Sequence, residues 1–170
     1  MVSRCCTVGD ACDPACSPLD HPLPAPCWEG GFFLGVVYNS PMLYLTKNIK
    51  PDFKDARGVI AKILDDGKTK IRSILYITGK RGTVRANHYH KQDTHYVYML
   101  SGKMTYYEKA IAGKKVEKAI LKKGDMIFSP PKRIHAFKFL ENTEWIVLST
   151  MSRSQEHYES DTVRVKFIER

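Results

Sequence analysis

No cysteine follows Cys27 in this chain of 170 residues, so the long remainder neither needs nor can form a disulfide. Nor does any run of about 18 apolar residues occur, and no segment reads as a membrane-spanning helix. The start lacks the apolar stretch of a signal peptide, because prolines and cysteines stand in its place. Internal repeats are missing as well. Together these absences lead to the expectation of a soluble, cytoplasmic protein. The five cysteines are gathered at one end: Cys5, Cys6, Cys12, Cys16 and Cys27. Only Cys12 and Cys16 have the spacing of a zinc-binding pair and no second such pair follows, so a structural zinc site is not expected there. Residues 1–41 read as a Cys- and Pro-rich leader that cannot offset the cost of ordering itself. They are expected to be disordered and separable from the functional domain. Residues 42–170 read as one domain, long enough to bury a core of its own.

Acidic residues are scarce where basic ones are plentiful. The net charge is +9, and only one of the 27 basic residues precedes position 42, against four of the 18 acidic ones. The lysines between Lys109 and Lys132 alternate with apolar residues, the pattern of a solvated strand face. Basic residues interleaved with aromatics for base stacking are lacking, so nucleic acid is not an expected partner. A positive field that gathers anionic metabolites is the expected consequence.

From Ile71 onward the spacing predicts short strands with period-two alternation. The segments are Ile71–Ile77, His95–Leu100, Lys103–Glu108, Val116–Leu121, Met126–Ser129, Ile134–Leu140 and Glu144–Thr150. Turn signals separate them at Gly79 to Gly82, Ser101-Gly102, Ala112-Gly113, Lys123-Gly124-Asp125 and Pro130-Pro131. Met99, Met104, Met126, Phe128, Phe137 and Phe139 are expected in the core. Asp55 to Asp65 suggests a short strand or a helical turn, and Arg153 to Glu159 reads as irregular. Many short strands at regular spacing predict an all-β sandwich or barrel.

Four of the six histidines form one constellation. His88 and His90 flank Tyr89, so a strand presents both imidazoles on one face. His95 opens the next strand across a polar turn, and His135 lies on a distant strand entered from Pro130-Pro131. A barrel can bring such residues together from separate walls. Neutral imidazole suits Fe, Ni and Zn and accepts Mn, so one divalent transition metal held by His88, His90, His95 and His135 is expected.

The order Gly82, His88-x-His90, His95, Gly102 resembles the first motif of the cupin superfamily, with His95 where glutamate is usual. Gly124, Pro130 and His135 resemble the second, with Lys132 where glycine is common. The resemblance implies an all-β, single-domain cupin jelly roll (a double-stranded β-helix), with the four histidines lining the barrel. Further stretches are similar to cupin-type nucleotide-sugar epimerases and ketoisomerases. These are Asp55-Ala56-Arg57-Gly58, Gly82 to His90 with Ala86 at a usual glycine, and the tail His157-Tyr158-Glu159-Ser160-Asp161-Thr162-Val163-Arg164. Those enzymes generally work without metal. Their resemblance implies His88 as general base with His90 assisting, and Arg57 and Arg85 as a phosphate clamp. It also implies an anionic small-molecule substrate and a homodimer in which Arg57 lies near the partner's barrel. No catalytic tyrosine stands out among Tyr89, Tyr96, Tyr98, Tyr106 and Tyr107. Three functions remain open at this point: a metal-binding isomerase or epimerase acting on a carbohydrate-like metabolite, a metal-dependent dioxygenase, and a non-catalytic sensor module on the same fold.

Overall fold

Alternating apolar and polar residues build strands here because each strand has one face to bury and one to hydrate. The computed structural model of the chain describes residues 43–169, and the Cys- and Pro-rich segment 1–41 lies outside the described residues. In chain order the elements are β1 Tyr44–Thr46, β2 Phe53–Asp55, β3 Gly58–Ile60, β4 Ser73–Gly79, β5 Val84–His90, β6 His95–Ser101 and β7 Lys103–Ala110. They continue as β8 Glu117–Lys122, β9 Met126–Ser129, β10 Arg133–Phe139, β11 Thr143–Ser149, α1 Gln155–Asp161 and β12 Thr162–Arg164. Two five-stranded antiparallel sheets result, in the orders β1-β9-β6-β11-β4 and β12-β5-β10-β7-β8, and β2 and β3 form a separate hairpin. The expected all-β jelly roll is what the chain adopts. Among the described residues no helix is long and apolar enough to cross a membrane.

Register turns the alternation into layers. At the polar end, His88 pairs with His135 and His135 with Glu108, while on the other sheet His95 pairs with Ser129 and Ser149. One layer further in, Phe137 pairs with Tyr106, and Val97 with Ile127 and Val147. At the far end lie Phe139, Met104 and Leu121, facing Met99 and Trp145. Phe139 and Trp145 stack with centroids 5.1 Å apart. Full burial of each such side chain is worth about 1.5–3 kcal/mol, so the apolar end stabilises the barrel and leaves the other end free for polar chemistry. Met126 and Phe128, expected in the core, instead face outward on β9 and are only half-buried. Their inward neighbours Ile127 and Ser129 take the interior positions.

One departure from sequence expectation matters for the site. Residues Arg153 to Glu159, read as irregular, contain the start of α1, capped by Ser154, whose Oγ accepts from the His157 N–H. Asp55 to Asp65 holds a short strand, one of the two forms expected there: β3, the second strand of the β2–β3 hairpin.

Candidate functional site

Strand β5 carries His88 and His90 inward, but not by simple alternation over its whole length. Ala86 and Asn87 both have left-handed backbone, φ 69° and 57°. Register against β10 jumps from His88–His135 to Ala86–Ala136, so Asn87 is an extra, bulged residue. Asn87 is anchored in that place by the C-terminal tail. Its side chain donates to the Ile168 carbonyl and accepts the Ile168 N–H, at 3.0 and 3.1 Å. Beyond the bulge the pairing is shifted by one residue, and Arg85 pairs with Phe137, an interior residue. Arg85 is nonetheless exposed, and its neighbour Ala86 packs against the core. Its neighbourhood, Thr83 to Asn87, lines a shallow hollow of about 420 Å³. Arg57, by contrast, sits at the tip of the β2–β3 hairpin and is paired with Asp55, 2.5 Å away. Its guanidinium is almost fully exposed, and no contact joins it to the histidines of its own chain.

The four histidines do converge, though not as equals. His88, His90 and His135 offer ring nitrogens within 4.8 Å of one another, all buried. His90 donates from Nδ1 to Asp161 Oδ2 at 3.0 Å, and Asp161 also accepts the Gln92 N–H at 2.8 Å. That bond fixes the tautomer and leaves His90 Nε2 as an acceptor; it is a buried atom with no hydrogen-bond partner. His135 is set in the same way. Its Nδ1 lies 3.2 Å from the Arg133 carbonyl and 3.3 Å from Ser129 Oγ. Ser129 continues to Tyr106 Oη at 3.0 Å, and Tyr106 donates its one proton to Glu108 at 2.6 Å. Arg133 closes this buried chain through Nε, 2.7 Å from Glu108.

His95 is engaged elsewhere. Its Nε2 lies 2.9 Å from Asp93 Oδ2 and 3.2 Å from Arg153 Nη1. Asp93 in turn accepts from Ser149 Oγ at 2.6 Å, the Thr150 hydroxyl and N–H, and the Met151 N–H. The structure therefore gives three imidazoles in one cluster, with the fourth joined to it through His90 and held toward a carboxylate. The guanidinium of Arg153 lies 4.3 Å above the Tyr158 ring, whose centroid is 6.3 Å from His88 and 6.2 Å from His90.

Burial governs the charges. It pushes His88 down to about 4, reinforced by His95, Arg153 and Arg164, and His90 to about 2, reinforced by His95, His88 and Arg153. His135 is likewise held well below the ordinary imidazole value by burial and by its histidine neighbours. These three rings are neutral near pH 7, with lone pairs available. For Asp93 burial works upward, but hydrogen bonds from His95 and Ser149 outweigh it and keep the carboxylate ionised. The donor set fits a divalent metal: three neutral imidazoles, two of them with the outer nitrogen hydrogen-bonded to an oxygen, as ligating histidines generally have.

Asp93, Asp161, Arg153 and Tyr158 escape a reading of the sequence by histidine spacing. The signals were an acid two residues before His95 and the tail's Tyr158-x-x-Asp161 spacing.

A barrel of two antiparallel sheets with a histidine cluster at one end defines a cupin, and residues 76–151 match the cupin domain family. The chain has the fold of a cupin. It resembles a 3,4-ketoisomerase from Helicobacter canadensis at 21% identity, covering 69% of this chain and 86% of that one with a TM-score of 0.58. A sugar 3,4-ketoisomerase from Thermoanaerobacterium thermosaccharolyticum, solved with TDP, gives a TM-score of 0.60 at 18% identity, over 75% of this chain and 89% of that one. A dTDP-4-dehydrorhamnose 3,5-epimerase from Sulfolobus tokodaii gives 0.53 at 21% identity, over 62% and 69%. No curated protein matches the sequence.

Proposed function

We propose that this chain is a sugar isomerase or epimerase acting on a nucleotide-linked keto sugar, with His90 as the group that moves the proton. The observation that carries the reading is the His90–Asp161 pair. Asp161 fixes the proton on Nδ1, and Nε2 faces the barrel interior without a partner. In the reaction His90 Nε2 takes the proton from the carbon beside the keto group. The C–H electron pair moves into an enolate, and the imidazolium so formed is stabilised by the Asp161 carboxylate. For the isomer, the neighbouring hydroxyl gives its proton to the enolate oxygen while His90 returns its proton to the former keto carbon; for the epimer, a second donor delivers a proton to the opposite face of the first carbon. His88 lies beside His90, with centroids 4.7 Å apart, and serves as the assisting group. Arg85, exposed along the shallow hollow beside β5, meets the diphosphate. The likeness in fold to sugar ketoisomerases and an epimerase supports this assignment over a dioxygenase or a sensor. A homodimer, with Arg57 serving the partner's barrel, and a cytoplasmic location belong to the same proposal.

A second reading is favoured by the three clustered imidazoles. His88, His90 and His135 would hold one divalent ion, Fe, Mn, Ni or Zn, which would supply a Lewis acid for the substrate carbonyl. Two measurements test these readings. Mixing the chain with TDP-4-keto-6-deoxyglucose and following product by NMR is expected to show an isomerised sugar; binding without conversion would refute the enzyme reading. Metal analysis of the purified chain, after incubation with each ion and removal of excess, decides the second.

A further inference from the structure

Arg153 precedes α1 in chain order and lies beside the histidine cluster. Its side chain is 18% exposed, so it is neither a solvated surface charge nor sealed in the core. Asp93 Oδ2 lies 3.6 Å from Nη1, and the ring of Tyr158 supports one face of the guanidinium. Nη1 is also 3.2 Å from His95 Nε2, and the His95 ring is 4.4 Å from that of His90. A guanidinium has five N–H donors. Among the described residues, only Nη1 has a hydrogen-bond or ion-pair partner. Donors on Nε and Nη2 are thus held in a partly buried place beside His95, whose ring neighbours that of His90. Arg57 does not reach this position within its own chain.

We propose that Arg153 is a binding residue for the oxyanion of the ligand, its free N–H edge holding a carboxylate, phosphate or enolate oxygen beside His90. The assignment rests on the isomerase reading for the identity of the natural ligand, but not for the binding itself. Two fixed features make the site specific: Asp93 holds the guanidinium in place, and the ring of Tyr158 orients its plane. An enolate formed next to His90 then has a cation waiting, with no reorganisation required. The preferred ligand is a planar oxyanion able to take two parallel N–H bonds, because the fork of arginine matches such geometry and a lysine does not.

Oxalate, a planar dianion shaped like an enediolate, is the probe. It is titrated into the full chain by calorimetry, with EDTA present so that no metal ion mediates binding. The wild-type chain is expected to bind oxalate saturably, with a tenfold or greater loss of affinity in Arg153→Met and a partial loss in Arg153→Lys. Lys118→Ala, which removes an exposed cation on β8, is expected to bind as wild type does. In the wild-type chain the Arg153 Nε–H resonance should shift on addition of oxalate, a readout that does not depend on any variant folding. Unchanged affinity in Arg153→Met, or an Arg153 resonance indifferent to oxalate, overturns the proposal. The isomerase reading fails separately: no conversion of keto sugar, with oxalate binding still dependent on Arg153, leaves this proposal standing and removes the other.

Discussion

Replacing Asp161 by asparagine perturbs one oxygen at the centre of the site. Asp161 is 7% exposed; Oδ1 accepts the Gln92 N–H at 2.8 Å, and Oδ2 accepts His90 Nδ1–H at 3.0 Å and, weakly, the Asp93 N–H at 3.4 Å. Asparagine keeps an oxygen for Gln92 but turns an NH2 group toward two donors. The conflict resolves by moving the His90 proton from Nδ1 to Nε2, so that Nδ1 accepts. One charge-assisted bond is lost and the Asp93 N–H loses its contact with Oδ2, costing about 2 kcal/mol. In a domain of this size that lowers the melting temperature by roughly 4–8 °C. The functional loss is larger, because Nε2 now donates where it must accept. A positioned base contributes about 10²–10⁴ in rate, and that factor is expected to disappear. Long-range ¹H–¹⁵N NMR of the imidazoles reads the tautomer, calorimetry reads the stability, and sugar conversion reads the rate. Retention of the Nδ1–H tautomer, or conversion within threefold of wild type, would refute the reasoning.

The remaining predictions concern backbone, core and pH. Ala86→Gly and Lys132→Gly should each stabilise the chain by about 0.5–1 kcal/mol in denaturant titrations, because both residues hold left-handed backbone, φ 69° and 60°, which costs a side chain about 1–2 kcal/mol and glycine little, offset in part by glycine's greater unfolded freedom. Gly79→Ala should destabilise by about 1–3 kcal/mol, since its Cβ would lie 2.5 Å from the Phe139 ring. Acidification should weaken the fold. An unfolded histidine titrates near 6.5, whereas His88 is held down to about 4 in the folded chain and His90 lower still, so the unfolded state takes up protons that the native state refuses. Stability should be full above about pH 6.5 and fall by about 1.4 kcal/mol per pH unit per imidazole as the pH drops toward 4; chemical denaturation across that range checks it, and a flat profile would contradict the buried neutral cluster.

The barrel was legible because its strands obey period two and its turns carry glycine and proline. His88 and His90 flanking a single residue, and His135 after Pro130-Pro131, were enough to find the cluster. The two positions where the sequence departs from the motif glycines, Ala86 and Lys132, both have positive φ, so the motif encoded backbone shape rather than chemistry. What could not be read was anything depending on register. The bulge at Asn87 shifts the pairing of β5 with β10 by one residue, and no local pattern announces it. The helix α1 was missed because Gln155–Asp161 is polar except for Tyr158, leaving no apolar stripe. Asp93 and Asp161 look like ordinary turn acids until the fold buries them against His95 and His90.

The central claim is that His90, set by Asp161, carries the proton. The most direct test is to incubate the chain with TDP-4-keto-6-deoxyglucose in D2O and follow by NMR the hydrogen on the carbon beside the keto group. Wild-type protein is predicted to exchange it for deuterium, and His90→Gln to lose that exchange while still binding the sugar. Bound sugar that keeps its hydrogen in the wild type, or exchange undiminished in His90→Gln, would contradict the account.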